Sequence, residues 1–213
     1  MDFSRPLVVA DGHCLPFADG AFSYAIAIHV LEHATDPSTF SRELTRVAPA
    51  GFVQVPSREA ELAFGWPFHP WLIDKREGTF YFEPRGAGSP ATGGILHEAF
   101  AESALFRLWF GTTRSRWHHS LEWRQEIPVH VQGVSMAEET AEVDVELTVR
   151  ELERLARHGD LVPLPANIIG ALRCPSCSGR LRLVGERASC EEGCGRSWPM
   201  AGPVPILLEE AAG

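Results

Sequence analysis

The chain has 213 residues, 45% apolar and 22% charged, proportions that exclude a disordered or fibrous protein, and at roughly 150 residues per domain they provide for one full-sized domain and a small appendage. Nineteen basic residues against 28 acidic ones leave a net charge of −9, so a phosphate backbone meets repulsion and nucleic acid is a disfavoured partner. No apolar run reaches the roughly 18 residues of a spanning helix, and the opening residues lack the pattern of an export signal, so a cytoplasmic protein without a membrane partner is expected.

Residues 7–10 and 22–30 are apolar runs bounded by Asp11-Gly12 and by the turn-like residues 16–20, which predicts two buried strands. Asp36-Pro37 places a capping side chain before a proline at the first helical position, and Phe40, Leu44 and Val47 then recur on one face, the pattern of a surface helix. Residues 51–56 predict a third strand that Pro56 ends, and this order of elements indicates an α/β fold. Apolar runs on either side of Lys75-Arg76-Glu77-Gly78 predict a hairpin, residues 84–94 a loop, residues 95–110 a helix and residues 127–134 a further strand. Over residues 137–158 acidic side chains lead and basic ones finish, with Gly159 following, as the macrodipole and a C-terminal cap require. The apolar stripe of that helix, Val145, Val149, Leu152 and Leu155, needs a partner surface, either the first domain or another subunit. Residues 160–166 read as a linker between a first domain at 1–159 and a second at 167–213.

Of five cysteines, Cys14 stands alone, a small apolar side chain under a loop. The other four form Cys174-Pro175-Ser176-Cys177, twelve intervening residues, then Cys190-Glu191-Glu192-Gly193-Cys194. Two such tight turns can direct four thiolates at one centre, a closed tetrahedral set suited to structural zinc. A redox pair or two disulfides are the rival readings, but a redox motif does not need the second pair. Gly179, Gly193 and Gly195 fit the close turns beside the ligands. With five arginines against five glutamates in residues 167–213, the segment has no net basic character for nucleic acid.

The series Ile168-Ile169-Gly170-Ala171-Leu172-Arg173 before the first pair, with Trp198-Pro199 and Val204-Pro205-Ile206-Leu207-Leu208 after the second, resembles the small zinc-ribbon proteins that activate transfer-RNA and protein methyltransferases. The second pair departs from that family in having three intervening residues instead of two. The resemblance implies a structural zinc on Cys174, Cys177, Cys190 and Cys194, and a partner or appendage of a methyltransferase rather than a catalyst.

Residues 7–12, residues 15–24, His29-Val30-Leu31-Glu32-His33, Asp36-Pro37, residues 43–47 and residues 51–57 are together similar to class I methyltransferases that use S-adenosylmethionine, the type 11 group in particular. By that resemblance Asp11 accepts a hydrogen bond from the adenine amine, Gly12 admits close backbone approach, Leu15 and Phe17 cover the ring, and His29 and Val30 line the methionine end. Such ligands sit beyond the carboxyl ends of strands. The series begins at the segment that resembles the third strand of the family, without its glycine-rich turn. The fold expected is therefore a partial Rossmann-like methyltransferase sheet lacking its first strands, plus a small C-terminal zinc ribbon.

From the residues alone, Asp11 is equally well a turn residue. His33 is a base or a turn histidine satisfying a backbone group, and His69, His118 and His119 either line an acceptor pocket or pack. Two functions follow: a methyltransferase whose acceptor the sequence does not identify, or a non-catalytic, methyltransferase-like scaffold whose ribbon binds a partner methyltransferase. A homo-oligomer is the other partner the sequence leaves open.

Overall fold

The computed structural model describes residues 5–66, 68–86, 93–133, 145–157, 161–209 and 212. In chain order the elements are β1 (Val9–Ala10), β2 (Ala25–Ile28), a 3-10 turn (Leu31–His33), α1 (Pro37–Val47), β3 (Ala50–Pro56), α2 (Arg58–Phe64), β4 (Trp71–Arg76), β5 (Thr79–Pro84), α3 (Gly93–Glu102), α4 (Ala104–Thr112), α5 (Arg114–Trp117), β6 (His118–Arg124) and β7 (Val129–Val131). They continue with α6 (Val145–Arg157), α7 (Ala166–Ala171), β8 (Leu181–Val184), β9 (Arg187–Cys190), β10 (Ser197–Ala201) and β11 (Val204–Leu207). These form two compact units, one of residues 1–21 with 142–213, the other of residues 22–141. The chain is mixed α/β, with three sheets among the described residues. No helix among them is long and apolar enough to cross a membrane.

The first unit is built on a five-stranded sheet in the order β1-β11-β10-β9-β8. Strand β1 pairs parallel with β11, Val9 opposite Ile206 and Ala10 opposite Leu207, and the other pairs are antiparallel. Successive side chains of a strand point to opposite faces. Accordingly, Val8 leans on a core of Leu172, Leu181, Ala188, Trp198 and Leu207. Leu7 and Val9 lean on another, made of Leu152, Ala201, Val204, Ile206 and Leu208. Helix α6 covers β10, so Val149, Leu152 and Leu155 find their partner surface in this unit. Residues 134–144 and 158–160, which include the first part of the predicted helix and its Gly159 cap, lie outside the described residues.

Three sequence expectations change here. The strand of residues 7–10 forms, but its neighbour is β11 and not the strand of residues 22–30. The compact units accordingly divide the chain at residues 21 and 142, where a boundary near residue 159 was expected. The expected linker is pinned: Leu161 and Leu164 are buried, Val162 bridges to Pro6, and Ala166 already opens α7.

In the second unit β2 pairs parallel with β3, and β3 pairs antiparallel with β6. A second sheet holds the hairpin β4-β5, with β7 parallel to β5. Glu77 and Gly78 turn the hairpin with φ of 49° and 83°, the two left-handed positions of a tight hairpin turn. The helix expected over residues 95–110 is two helices, because Ser103 leaves the helical path and caps the next one through Phe106 N–H.

Helix α1 has the expected cap: the Asp36 carboxylate accepts from the N–H groups of Ser38 and Thr39 at 3.0 and 3.1 Å and from the Thr39 hydroxyl. The Thr39 hydroxyl foremost, with the two N–H groups, holds this carboxyl below its ordinary value against the opposing effect of burial. Asp36→Ala should lower stability by about 1 kcal/mol. Because the folded-state pKa is depressed, the cap contributes fully above the unfolded carboxyl pKa and is lost as pH falls through the folded one. Urea midpoints of the two proteins should differ at pH 7 and converge below about pH 4.

Candidate functional site

Two clusters of chemically active side chains stand out, one in each unit. In the first, the turn at Cys174–Cys177 and the turn after β9 bring four sulfurs together, all within 4.8 Å of one another. Cys174 Sγ lies 3.7 Å from Cys194 Sγ, and Cys177 Sγ lies 3.5 Å from Cys190 Sγ. A tetrahedron with Zn–S bonds of about 2.3 Å has an S···S edge of about 3.8 Å, whereas a disulfide needs about 2.05 Å. The four are thiols, not disulfides.

The backbone around them is built for close approach. A Cβ on Gly179 would sit 3.3 Å from Cys177 Sγ and 3.4 Å from Cys190 Sγ, and Gly193 and Gly195 have φ of 87° and 74°, where a side chain is strained. Without an ion, burial pushes the Cys174 thiol up to about 12. Burial opposes ionisation of Cys190 too, but hydrogen bonds from the Glu192 and Cys194 backbone and from neighbouring thiols bring it down to about 7. Four adjacent sulfurs do not ionise together unless a cation compensates them, so the donor set is compatible with a soft divalent ion such as zinc.

In the second unit the functional side chains gather at the carboxyl end of the parallel pair β2-β3, where doubly wound sheets place ligands. His29 directly follows β2, and its backbone N–H donates to the Gln54 carbonyl at 2.9 Å. Its φ of 55° is left-handed, a conformation that costs a non-glycine residue about 1 kcal/mol or more and that clusters at functional positions. The ring donates from Nδ1 to Glu32 Oε1 at 3.1 Å and meets the His118 ring edge-on at 5.0 Å.

Glu32 is fully buried, and its Oε2 has no hydrogen-bond partner among the described residues. His33 is exposed, stacks on Phe68 at 5.7 Å and meets the ring of buried His69 at 4.5 Å. Partial burial, followed by the neighbouring His69, lowers the His33 pKa. His69 Nδ1 donates to Glu61 Oε1 at 2.6 Å. Burial raises the Glu61 carboxyl, against the pull of His69 and of Arg85, whose guanidinium lies 3.6 Å from Glu61 Oε2. His118 is shifted down by burial, and so is His119. The alternation of β6 points the rings of His118 and His119 to opposite faces. Thus His118 reaches His29, whereas His119 bonds to the Ile73 backbone.

The residues expected at an S-adenosylmethionine site fall in both units. Asp11, Gly12 and Leu15 belong to the first, His29 and Val30 to the second. Asp11 closes a turn, its carbonyl accepting from Cys14 N–H at 3.1 Å. Its Oδ1 accepts from the His13 backbone at 2.9 Å and from the His13 ring at 2.8 Å, and 57% of the side chain remains exposed. Residues 16–18 are strapped to residues 171–173 by hydrogen bonds of 2.9 and 2.8 Å, and Phe17 packs against the Trp198 core. Cys14 is exposed rather than covered, its thiol 3.5 Å from the Pro175 carbonyl. Val30 is 39% exposed. Sequence reasoning missed Glu32 and Glu61 as the acids that hold the histidines. The signal was a glutamate close in sequence to each histidine, Glu32 three after His29 and Glu61 eight before His69.

Comparison with known proteins adds to this geometry. Residues 2–53 match a family described as a methyltransferase domain. A stretch of 43 residues is 44% identical to ajmaline N-methyltransferase of Rauvolfia serpentina, covering 20% of this chain and 15% of that protein. No solved structure matches the chain. Residues 2–53 are therefore similar to a methyltransferase domain, which supports a methyltransferase-like function.

Proposed function

We propose that the protein is an S-adenosylmethionine-dependent methyltransferase-like protein that transfers a methyl group to an acceptor, and that zinc on Cys174, Cys177, Cys190 and Cys194 structures its C-terminal ribbon. The observation that carries the first part is the methyltransferase-domain match over residues 2–53. The S···S spacings of a tetrahedral site carry the second. When bound, S-adenosylmethionine supplies an electrophilic methyl on a sulfonium, so positioning is the main contribution asked of the protein. Asp11 offers an exposed carboxylate already oriented by His13, suited to accept from an adenine amine.

Asp11→Ala should weaken S-adenosylmethionine binding about 10- to 150-fold, the value of one charge-assisted hydrogen bond, with the melting temperature of the unliganded protein nearly unchanged. Calorimetric titration and thermal melting of both proteins check this. A loss of stability with unaltered binding would assign Asp11 to its turn alone. A second reading, a non-catalytic scaffold whose ribbon engages a partner methyltransferase, is favoured by one observation: β1, from the methyltransferase-like segment, is a strand of the ribbon sheet and not of β2-β3-β6.

A further inference from the structure

We infer that Glu32, His33 and His69 form a second metal site, for a divalent transition ion with open coordination positions. The inference is independent of the methyltransferase reading. One ligand atom from each of the three residues lies within 4.8 Å of the other two, close enough for small side-chain rotations to place all three around one ion. Two imidazoles and a carboxylate form a donor set that takes zinc or ferrous-type ions and leaves positions for water or a small oxygen-donor ligand.

Three features point to a ligand. Glu32 is fully buried, yet its Oε2 has no hydrogen-bond partner among the described residues, a costly state for a carboxylate that a cation relieves. His69 donates through Nδ1 to Glu61, which leaves Nε2 as the lone-pair atom, the carboxylate–histidine support that metal-ligating imidazoles commonly have. The His33 ring stacks on Phe68 and meets the His69 ring at 4.5 Å, which holds it beside the other two donors. The exposed His33 ring opens the site to solvent while Glu32 and His69 anchor it from within.

Cobalt titration of the metal-free, reduced full chain tests the site, because cobalt bound to cysteine shows an intense thiolate charge-transfer band and cobalt bound to oxygen and nitrogen does not. Two ions per chain are expected by native mass spectrometry, one with that band and one without. His33→Ala, at an exposed position, should bind one ion with the band unchanged, while a control, His130→Ala on β7, keeps both. On the unaltered protein, cobalt should shield His33 but not His130 from diethyl pyrocarbonate, read by peptide mass mapping. A single ion in the unaltered protein, unchanged stoichiometry and affinity in His33→Ala, or equal modification of His33 with and without cobalt would overturn the assignment.

Discussion

Stripping metal from the full chain with a strong chelator should abolish the cooperative unfolding of strands β8 to β11, beside the four cysteines, while the sheet β2-β3-β6 keeps its protection. The reason is the size of the two cores. The sheet that carries the four cysteines rests on two modest groups of buried side chains, Leu172, Leu181, Ala188, Trp198 and Leu207 in one and Leu152, Ala201, Val204, Ile206 and Leu208 in the other, while a structural zinc contributes on the order of 10 kcal/mol or more to a small domain. That exceeds or equals the whole stability of most small domains. Hydrogen exchange read by mass spectrometry should show peptides spanning residues 174–201 exchanging freely after chelation and regaining protection when zinc is returned. Helix α6 and β1 pack on the same sheet, so their protection should fall with it. Unchanged protection across these peptides would remove zinc from the account.

The second large effect is expected in the other unit, at Gly51. This residue sits in β3 opposite Ala25, and a Cβ there would lie 2.1 Å from the Ala25 carbonyl oxygen and 2.5 Å from the Trp123 ring. Neither obstacle is a flexible chain end: one is the backbone of a paired strand, the other a tryptophan 3% exposed. Gly51→Ala should therefore cost about 3 kcal/mol, at the upper end for overpacking. By contrast, Gly111→Ala on α4, where a Cβ meets nothing within 4 Å, should stabilise by about 0.5 kcal/mol through helix propensity. Urea midpoints of the two variants should move in opposite directions.

The local elements were largely legible because they depend on short-range chemistry. The Asp36 cap, the Glu77-Gly78 turn and the apolar runs of β2, β3, β4 and β5 each announce themselves within a few residues. Strand partnership was not legible in this way. Residues 7–10 form an apolar run that pairs equally well with Ala25–Ile28 or with Val204–Leu207, and the period of two in a strand says nothing about which neighbour it takes. Strand β6 escaped because His118, His119, Ser120 and Glu122 interrupt its apolar pattern, and α2 because it has only seven residues.

The sites divide in the same manner. The four cysteines were readable as one centre from spacing alone, since each pair is local and the ligand type is unambiguous. The histidine cluster was readable only as separate residues, because Glu32 and His33 meet His69 through the fold and not through a motif.

Cofactor binding by this chain is tested most directly by calorimetric titration of the zinc-loaded protein with S-adenosylmethionine, with S-adenosylhomocysteine as the product control. Saturable binding of both at micromolar concentrations is the predicted result. Absence of heat and of any shift in melting temperature at millimolar concentrations of either would contradict the methyltransferase reading and leave the chain as a metal-bearing scaffold.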